Sequence, residues 1–317
     1  MHHKIYSKLQ LKLKTSRSSI DNFALNSPNK YKVYTIPKRT AGFRVIAHPS
    51  RELKCYQRHL VEILTPHLKN HSSSIAYTKE KSIRENALIH VRNDYLLKMD
   101  FNDFFNSITP ELFFHICRVQ EVFFSQAEER LLTKLLFWSK SKSKDEHLVL
   151  SVGAPSSPLI SNFTMYTFDE LITSICHENG ISYTRYADDI TFSTNRKNIL
   201  FSIPSLVKSI LLNKYEYKIT INDSKTVFSS KAHNRHVTGI TLNNEGQLSL
   251  GRNRKRMLSS MIHKEKIGSL SLDDFTYMRG LISFAKHIEP AFIFRMRVKY
   301  GNETVDNIIK GVRNVTN

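Results

Sequence analysis

The sequence predicts an α+β fold, in which strand-like segments are interspersed with stretches of helical spacing. Residues 31–48 alternate like two strands around a turn, and residues 183–193 form two β-prone arms joined at an Ala-Asp-Asp tip. Apolar side chains at helical spacing occupy residues 51–69 and 110–140. The chain has 317 residues, which is enough for a substantial core and two or three subdomains.

The remaining elements follow in chain order. Residues 5–25 have an amphipathic helical pattern that stops at Ser27-Pro28-Asn29. The polar stretch 139–145 predicts a loop, and a short hairpin is expected around residues 243–246. A mostly helical C-terminal region then begins with a cluster of basic residues, which are Arg252, Arg254, Lys255 and Arg256.

Asp188 and Asp189, at the tip of the 183–193 hairpin, are the strongest chemical signal. Adjacent carboxylates repel each other, so a turn that exposes both favours a divalent cation, and oxygen ligands favour Mg²⁺ over Zn²⁺. An ordinary turn, in which Asp is common, is the simpler alternative. The apolar strand at 95–100 adds a third carboxylate, Asp100, at its end. Three such groups can hold two Mg²⁺ ions for phosphoryl transfer.

Two segments between these carboxylates need separate interpretation. Asp103 lies three residues after Asp100, and we expect it to cap the next helix or contact its backbone rather than bind metal. The loop Gly153-Ala154-Pro155 is followed by Ser-Ser-Pro and a helical pattern, so its glycine and prolines fix a helix start. Taken alone, this loop predicts nothing more.

In chain order, the Asp100 strand, the loop and helix at 153–162, the Tyr186-Ala187-Asp188-Asp189 hairpin and the segment 221–226 resemble the palm of reverse transcriptases. The resemblance implies a right-hand polymerase fold with fingers, palm and thumb, and an antiparallel-sheet palm that carries the Tyr-Ala-Asp-Asp hairpin. The implied domains are a basic N-terminal helical extension at 1–30, fingers at 31–94, a palm at 95–230 with a helical insertion at about 110–150, and a thumb with a C-terminal helical RNA-binding region at 231–317.

Two further segments resemble elements of one branch, the bacterial retron reverse transcriptases. Residues Asn86 to His90 are similar to its Asn-Ala-x-x-His element, and Val237-Thr238-Gly239 to its Val-Thr-Gly element. A capping or core histidine and a strand end that meets a turn are the simpler explanations. The first segment precedes Asp100 and the second follows Lys225, and these positions favour the family interpretation. Val152 stands where many members carry glutamine, so no glutamine contact with the nucleotide is expected.

The resemblance implies RNA-templated DNA synthesis from deoxynucleoside triphosphates. Asp100, Asp188 and Asp189 would hold two Mg²⁺ ions, with the carbonyl of Phe101 as an extra ligand, and Lys225 could protonate the departing pyrophosphate. A lysine after a strand is otherwise simply solvated.

Further residues are implied at the nucleotide and the nucleic acid. Lys38 and Arg44 would reach the β and γ phosphates, unless the hairpin is only a solvated edge. Phe105 would lie beneath the sugar and exclude a ribose 2′-hydroxyl, unless Phe104 and Phe105 both pack in the core. The loop at 153–155 is expected beside the nucleotide. The nucleic acid would contact Asn86, His90, Val237, Thr238 and Gly239, and also Arg252, Arg254, Lys255 and Arg256, for which a solvated basic turn is the alternative.

The retron resemblance also implies partners. These are a cognate structured noncoding RNA that serves as template and primer, a branched RNA–DNA product (msDNA) started at a guanosine 2′-hydroxyl, and a separate effector protein in anti-phage defence. Three alternatives stay open: a group II intron-like reverse transcriptase, a metal-dependent nuclease and a noncatalytic RNA-binding scaffold. The last two would not need the ordered palm motifs.

Charge and cysteine content agree with a nucleic-acid partner. The formal net charge is +19, from 47 basic and 28 acidic residues, and an excess this large favours a polyanion. A membrane surface is a distant second, because no long apolar segment accompanies the charge. The three cysteines lack Cys-x-x-Cys spacing, which is typical of a reducing compartment. Lysines interrupt the apolar N-terminus, so we expect a cytoplasmic protein without a membrane partner.

Overall fold

The computed structural model describes residues 4–37, 42–141, 147–216 and 218–313. Its helices are α1 (Ile5–Leu13), α2 (Arg17–Leu25), α3 (Arg51–Leu64), α4 (Ile83–His90), α5 (Pro110–Val119), α6 (Gln126–Leu136), α7 (Ser157–Thr164), α8 (Tyr166–Glu178), α9 (Ile203–Tyr215), α10 (Arg252–Lys266), α11 (Leu272–Ile288), α12 (Pro290–Tyr300) and α13 (Asn302–Lys310). Its strands are β1 (Tyr31–Pro37), β2 (Phe43–Pro49), β3 (Tyr95–Asp100), β4 (Trp138–Ser139), β5 (Leu148–Val149), β6 (Ser182–Tyr186), β7 (Asp189–Thr194), β8 (Val227–Ser230), β9 (Arg235–Val237), β10 (Ile240–Leu242) and β11 (Leu248–Ser249).

Side-chain caps divide two of the predicted helical regions. Ser125 and Glu128 form a capping box that starts α6, so the region 110–140 contains two helices. Likewise, Lys14 ends α1 in a left-handed conformation and Ser16 caps α2. The helical content of both regions was predicted correctly, and the interruptions were not.

The chain forms two compact units, of which the first comprises Met1–Lys79, Lys98–Thr191 and Asn198–Val227. Strands β1 and β2 form an antiparallel hairpin in which Lys32 faces His48 and Ile36 faces Arg44. Its turn, which includes Lys38, lies outside the described residues. Fully buried phenylalanines fill the interior of this unit, namely Phe101, Phe113, Phe137, Phe163 and Phe168.

A four-stranded sheet with the order β6-β7-β3-β8 carries the Asp-containing segments. The predicted strand at 95–100 and the predicted hairpin at 183–193 are its members β3, β6 and β7. Strand β3 ends at Asp100, as predicted.

The second unit comprises Glu80–Leu97, Phe192–Lys197 and Phe228–Asn317. It contains the sheet β11-β10-β9 and the helices α4 and α10 to α13, around a continuous apolar core. The predicted hairpin near residues 243–246 is the β10–β11 hairpin, and the helical C-terminal region is confirmed. The domain limits stay predictions, since the compact units group residues 80–97 with the C-terminal helices.

Across the described ranges, we find no helix with the length and apolar character needed to cross a membrane.

Candidate active site

The first unit brings the three predicted carboxylates together. The amide of Phe101 donates to the Asp188 carbonyl at 3.1 Å, which joins the end of β3 to the tip of the β6–β7 hairpin. On its other side, the amide of Asn222 donates to the Asp100 carbonyl at 2.8 Å. Backbone hydrogen bonds therefore hold Asp100 between the hairpin tip and the segment that leads to Lys225.

The carboxylates are partly buried and repel one another. Burial, followed by the charge of Asp100, raises the pKa of Asp188. Burial and the charge of Asp188 raise the pKa of Asp189 to about 6, against an opposing effect of Lys98. A group of carboxylates in this state favours a positive charge among them.

Lys225 supplies one such charge. Its Nζ lies 2.7 Å from Asp100 Oδ1, although its own side chain is 57% exposed. The lysine lies on a 3-10 turn, Asp223–Lys225, that follows a bridge between Phe101 and Ile221. Lys225 therefore reaches the predicted catalytic carboxylates, as a counter-ion of Asp100.

The donor set fits a hard divalent cation, because it consists only of carboxylate oxygens. No group of three or more His, Cys, Asp or Glu side chains in the described ranges is already arranged around a metal position. Asp100 Oδ1 accepts a hydrogen bond from Lys225, so a cation bound at that atom would compete with the lysine. The Phe101 carbonyl stays a predicted ligand. The ring of Phe101 packs against Phe104 and Phe168.

The loop at 153–155 packs on the β1–β2 hairpin. Gly153 has φ of +118°, and a Cβ added there would lie 3.3 Å from Ile46 Cγ2 and 3.6 Å from the Ala47 carbonyl. The hydroxyl of Ser151 donates to that same carbonyl. Glycine is therefore required where the loop approaches β2.

Phe104 and Phe105 differ in burial. Phe104 is 3% exposed and stacks on Phe101, whereas Phe105 is only half-buried and lies edge-on to Phe104. Of the two, Phe105 is free to touch a ligand, so its predicted place beneath the sugar stays a prediction.

Asp103 makes the expected backbone contact with the following turn, because its carbonyl accepts from the amide of Ser107 at 2.9 Å. The expected side-chain cap is absent. The Asp103 side chain makes no capping hydrogen bond to the 3-10 turn Phe104–Ser107 and instead pairs with Lys140 Nζ at 3.0 Å. The backbone φ of Asp103, +40°, lies in the left-handed region.

The β1–β2 hairpin contributes one described basic residue near the carboxylates. Burial chiefly raises the pKa of Asp188, while the charges of Lys225 and then Arg44 lower it. Arg44 is exposed on β2. Lys38, predicted to act beside it, lies outside the described residues, so the triphosphate contacts remain predictions.

A buried ionic network behind the hairpin tip was not predicted. Arg185 Nη2 lies 2.6 Å from Asp169 Oδ2, with both side chains fully buried. Arg185 Nη1 also donates to Asn162 Oδ1 at 3.2 Å and to the Ala187 carbonyl at 3.1 Å. Ala187 has φ of +57°, so the network supports the strained residue that precedes Asp188.

Tyr77 was also missed. It has φ of +60° and lies close enough to Asp188 that, after burial, this carboxylate raises its pKa. A tyrosine with a left-handed backbone is unusual, but the residues around Tyr77 carry no turn signal that predicts it.

In the second unit, the two retron-like elements meet. Helix α4 carries Asn86 and His90, which are buried, and it packs against β9 and β10. Asn86 Nδ2 lies 3.5 Å from Thr238 Oγ1, and Thr238 donates to the Ile83 carbonyl at 3.4 Å. His90 Nδ1 lies 2.7 Å from Ser193 Oγ. Asn86 therefore supports the Val-Thr-Gly turn through Thr238, whereas His90 is held by Ser193. Both side chains are buried, so their predicted contact with RNA stays a prediction.

That turn has an uncommon backbone. Thr238 has φ of +46° and Gly239 of +79°, the pair of values that a tight hairpin turn with two left-handed residues requires. Val237 is buried, Thr238 is half-buried and Gly239 is exposed. A β-branched residue is disfavoured in this region, so Thr238 stores strain.

The four basic residues at the start of α10 divide into two pairs. Arg254 donates to the Gly239 carbonyl at 2.6 Å, and Lys255 lies 2.9 Å from Glu289. Arg252 and Arg256 are exposed. Arg252 and Arg256 are therefore accessible for the predicted phosphate contact, while Arg254 and Lys255 also stabilise the fold.

Comparison with known proteins identifies the family. Residues 36–242 match the family described as reverse transcriptase (RNA-dependent DNA polymerase). The chain is 52% identical over 280 residues to the retron Ec83 reverse transcriptase of Escherichia coli, covering 88% of this chain and 90% of that protein. It is 32% identical over 308 residues to the retron Ec73 reverse transcriptase of Escherichia coli, covering 92% of each. Together with the palm motifs on one sheet, these matches confirm the right-hand polymerase fold, and the chain belongs to the bacterial retron reverse transcriptases, which are RNA-directed DNA polymerases.

Proposed function

We propose that this polymerase copies part of a cognate structured noncoding RNA into DNA, starting from a guanosine 2′-hydroxyl of that RNA. The product is a branched RNA–DNA hybrid (msDNA), which acts with a separate effector protein in anti-phage defence. The observation that carries the proposal is the 52% identity to a retron reverse transcriptase over 88% of the chain. The proximity of the Asn86–His90 helix to the Thr238–Gly239 turn supports it.

The proposed chemistry needs two Mg²⁺ ions held by Asp100, Asp188 and Asp189. When bound, such ions neutralise the charge that develops on the transferred phosphoryl group and its leaving oxygen. Support comes from the oxygen-only donors and from the raised pKa values of Asp188 and Asp189.

Side chains of this unit perform the remaining steps. Lys225 leaves Asp100 and donates a proton to the departing pyrophosphate, a role supported by its present distance of 2.7 Å from Asp100. Arg44 and Lys38 bind the β and γ phosphates. Phe105 lies beneath the sugar and excludes a 2′-hydroxyl, which its half-buried position permits. The loop at 153–155 bounds the nucleotide.

The test is to express the chain with the noncoding RNA encoded beside its gene and to isolate small DNA from the cells. We expect a DNA species that remains joined to RNA, and that migrates faster after treatment with a 2′,5′-debranching enzyme. DNA that the debranching enzyme does not change would refute guanosine 2′-hydroxyl priming.

Asp188→Asn is the matched inactive control, because it keeps the side-chain size and removes the metal-binding charge. We expect it to abolish the DNA species while leaving RNA binding intact. Comparable DNA synthesis by this variant and the wild type would refute the two-metal assignment. Protection from phage that requires both active polymerase and a neighbouring gene would support the effector.

A further inference from the structure

A cleft of about 600 Å³ lies in the first unit, where the open end of the β1–β2 hairpin meets the start of α3. We name it the hairpin-foot cleft. Among its described lining residues none is acidic, and six are basic, namely Lys30, Lys32, His48, Arg51, Lys54 and Arg58. This concentration of positive charge in a concave site needs an explanation.

The positions of the basic residues in α3 are unfavourable for helix stability. Arg51, Lys54 and Arg58 are spaced by three and four residues, so they lie on one face, where like charges repel. Arg51 and Lys54 also lie at the N-terminal end of α3, where the helix dipole disfavours cations. Packing or helix stability does not explain this choice of residues, whereas an anion bound in the cleft does.

Within the part of the chain that the structure describes, these charges have no acidic counter-ion. Across the described ranges, no aspartate or glutamate forms an ion pair with any of the six basic residues. Instead, the Lys54 ammonium contacts His48 Nε2, so that two basic groups meet. Lys30 Nζ lies 3.6 Å from the centre of the Phe23 ring, which holds it at the cleft without neutralising it.

One face of the hairpin leads from the cleft to the active-site loop. Lys32 and His48 are cross-strand partners, and Arg44 lies four residues before His48, on the same face of β2. Along this face, Ile46 Cγ2 and His48 Nδ1 lie 3.3 and 3.8 Å from the Cβ position of Gly153. The cleft and the loop at 153–155 are therefore connected along a single strand.

We propose that the hairpin-foot cleft binds the phosphodiester backbone of an unpaired nucleic-acid strand that enters the active site along this face. This inference rests on the proposed function, because it assigns a binding site for the strand that the polymerase copies. A nucleoside triphosphate shares the phosphate chemistry, but it arrives with a divalent cation and the described lining offers no carboxylate to hold one. The basic residues are spread over two strands and a helix, which matches the repeated phosphates of a phosphodiester backbone.

The test compares two variants that lose the same charge. The first is the triple variant Arg51→Gln, Lys54→Gln, Arg58→Gln. The second, as a control, is Lys8→Gln, Lys69→Gln, Lys214→Gln, which changes exposed lysines of the same unit. We measure the affinity of each variant for two fluorescent DNA duplexes, one with a long 5′ overhang and one with blunt ends. EDTA is present, so binding is measured without catalysis.

We expect the cleft variant alone to lose affinity for the overhang duplex, on the order of tenfold or more at moderate salt, with little change for the blunt duplex. Its log–log salt dependence should be shallower by about one unit per lost contact. Equal loss on both duplexes, or equal loss in the control variant, would overturn the assignment. An increased KM for deoxynucleoside triphosphate with unchanged overhang affinity would assign the cleft to the triphosphate instead.

A second measurement on the wild type is independent of variant folding. Replacing single overhang phosphates by neutral methylphosphonates should weaken binding at a few consecutive positions, and the cleft variant should be insensitive at those positions. Uniform wild-type sensitivity along the overhang would overturn the proposal. Failure of the branched-product test would refute the proposed function and leave this binding result standing.

Discussion

The Arg185 guanidinium and the Asp169 carboxylate form an ion pair at 2.6 Å with both side chains fully buried. The same guanidinium reaches the carbonyl of Ala187, directly before the candidate metal ligand Asp188. The pair thus links helix α8 to the backbone of the hairpin tip.

Removing one member of this pair should destabilise the protein strongly. We expect Arg185→Gln or Asp169→Asn to lower the free energy of unfolding by about 3–5 kcal/mol, because each leaves a buried charge unpaired. The combined Arg185→Met, Asp169→Leu variant should lose less, since both charges are gone. Urea denaturation measures all three. A double variant as unstable as the sum of the singles would contradict the coupling.

Shortening Phe105 to Val should raise ribonucleotide use relative to deoxynucleotide use, because space opens beneath the sugar. Single-nucleotide incorporation with each substrate gives the ratio. Phe123→Val is a suitable control, since this exposed ring lies outside the proposed nucleotide contacts. An unchanged ratio in Phe105→Val would assign that ring to packing.

The two basic pairs of α10 should respond differently to charge removal. Arg252→Gln with Arg256→Gln should leave the melting temperature unchanged and flatten the salt dependence of RNA binding by about one unit per lost contact. Arg254→Gln with Lys255→Gln should lower the melting temperature, because the contacts with Gly239 and Glu289 are lost. Identical salt slopes in the first variant and the wild type would mean that this surface is only solvated.

Replacing Thr238 should affect RNA recognition without lowering the stability of the protein. We expect Thr238→Gly to keep or raise the free energy of unfolding, by up to about 1 kcal/mol, because glycine accepts the positive φ without strain. Loss of the Oγ1 contact to Asn86 should nevertheless impair synthesis on the cognate RNA more than extension of a DNA primer on an unrelated template. Equal losses on both substrates would mean that the turn serves only the fold.

His90 should make the protein sensitive to acid. Burial lowers the pKa of His90 from 6.5 to about 3 in the folded state. Between these values the unfolded chain binds a proton that the folded chain excludes, so stability is lost as pH falls from about 6.5 towards 3.

Denaturation midpoints measured across that range should fall less steeply in His90→Gln than in the wild type. His233→Gln, at an exposed histidine of the same unit, should keep the wild-type slope. If His90→Gln keeps the wild-type slope, other groups cause the acid sensitivity.

The strand and the hairpin that carry the candidate carboxylates were predictable because their signals are local. An apolar strand that ends in Asp100 and a hairpin tip at Asp188 each occupy one short segment with its own turn residues. Gly153 was visible for the same reason, since glycine and proline mark the loop.

What could not be predicted depends on distant partners. The sequence does not reveal that Arg185 meets Asp169 or that Lys225 pairs with Asp100, because charge alone does not select a partner. The burial of Asn86 and His90 depends on how α4 packs on β9 and β10.

A backbone hydrogen bond and an ion pair between distant segments bring Asp100, Asp188 and Lys225 together, which affects how the protein is synthesised. Their separation along the chain makes the site a late event in folding, because distant strands must pair before it exists. A chain still emerging from the ribosome cannot assemble the complete candidate site until Lys225 has left the exit tunnel. On the proposed site assignment, we expect chains truncated before Lys225 to lack polymerase activity.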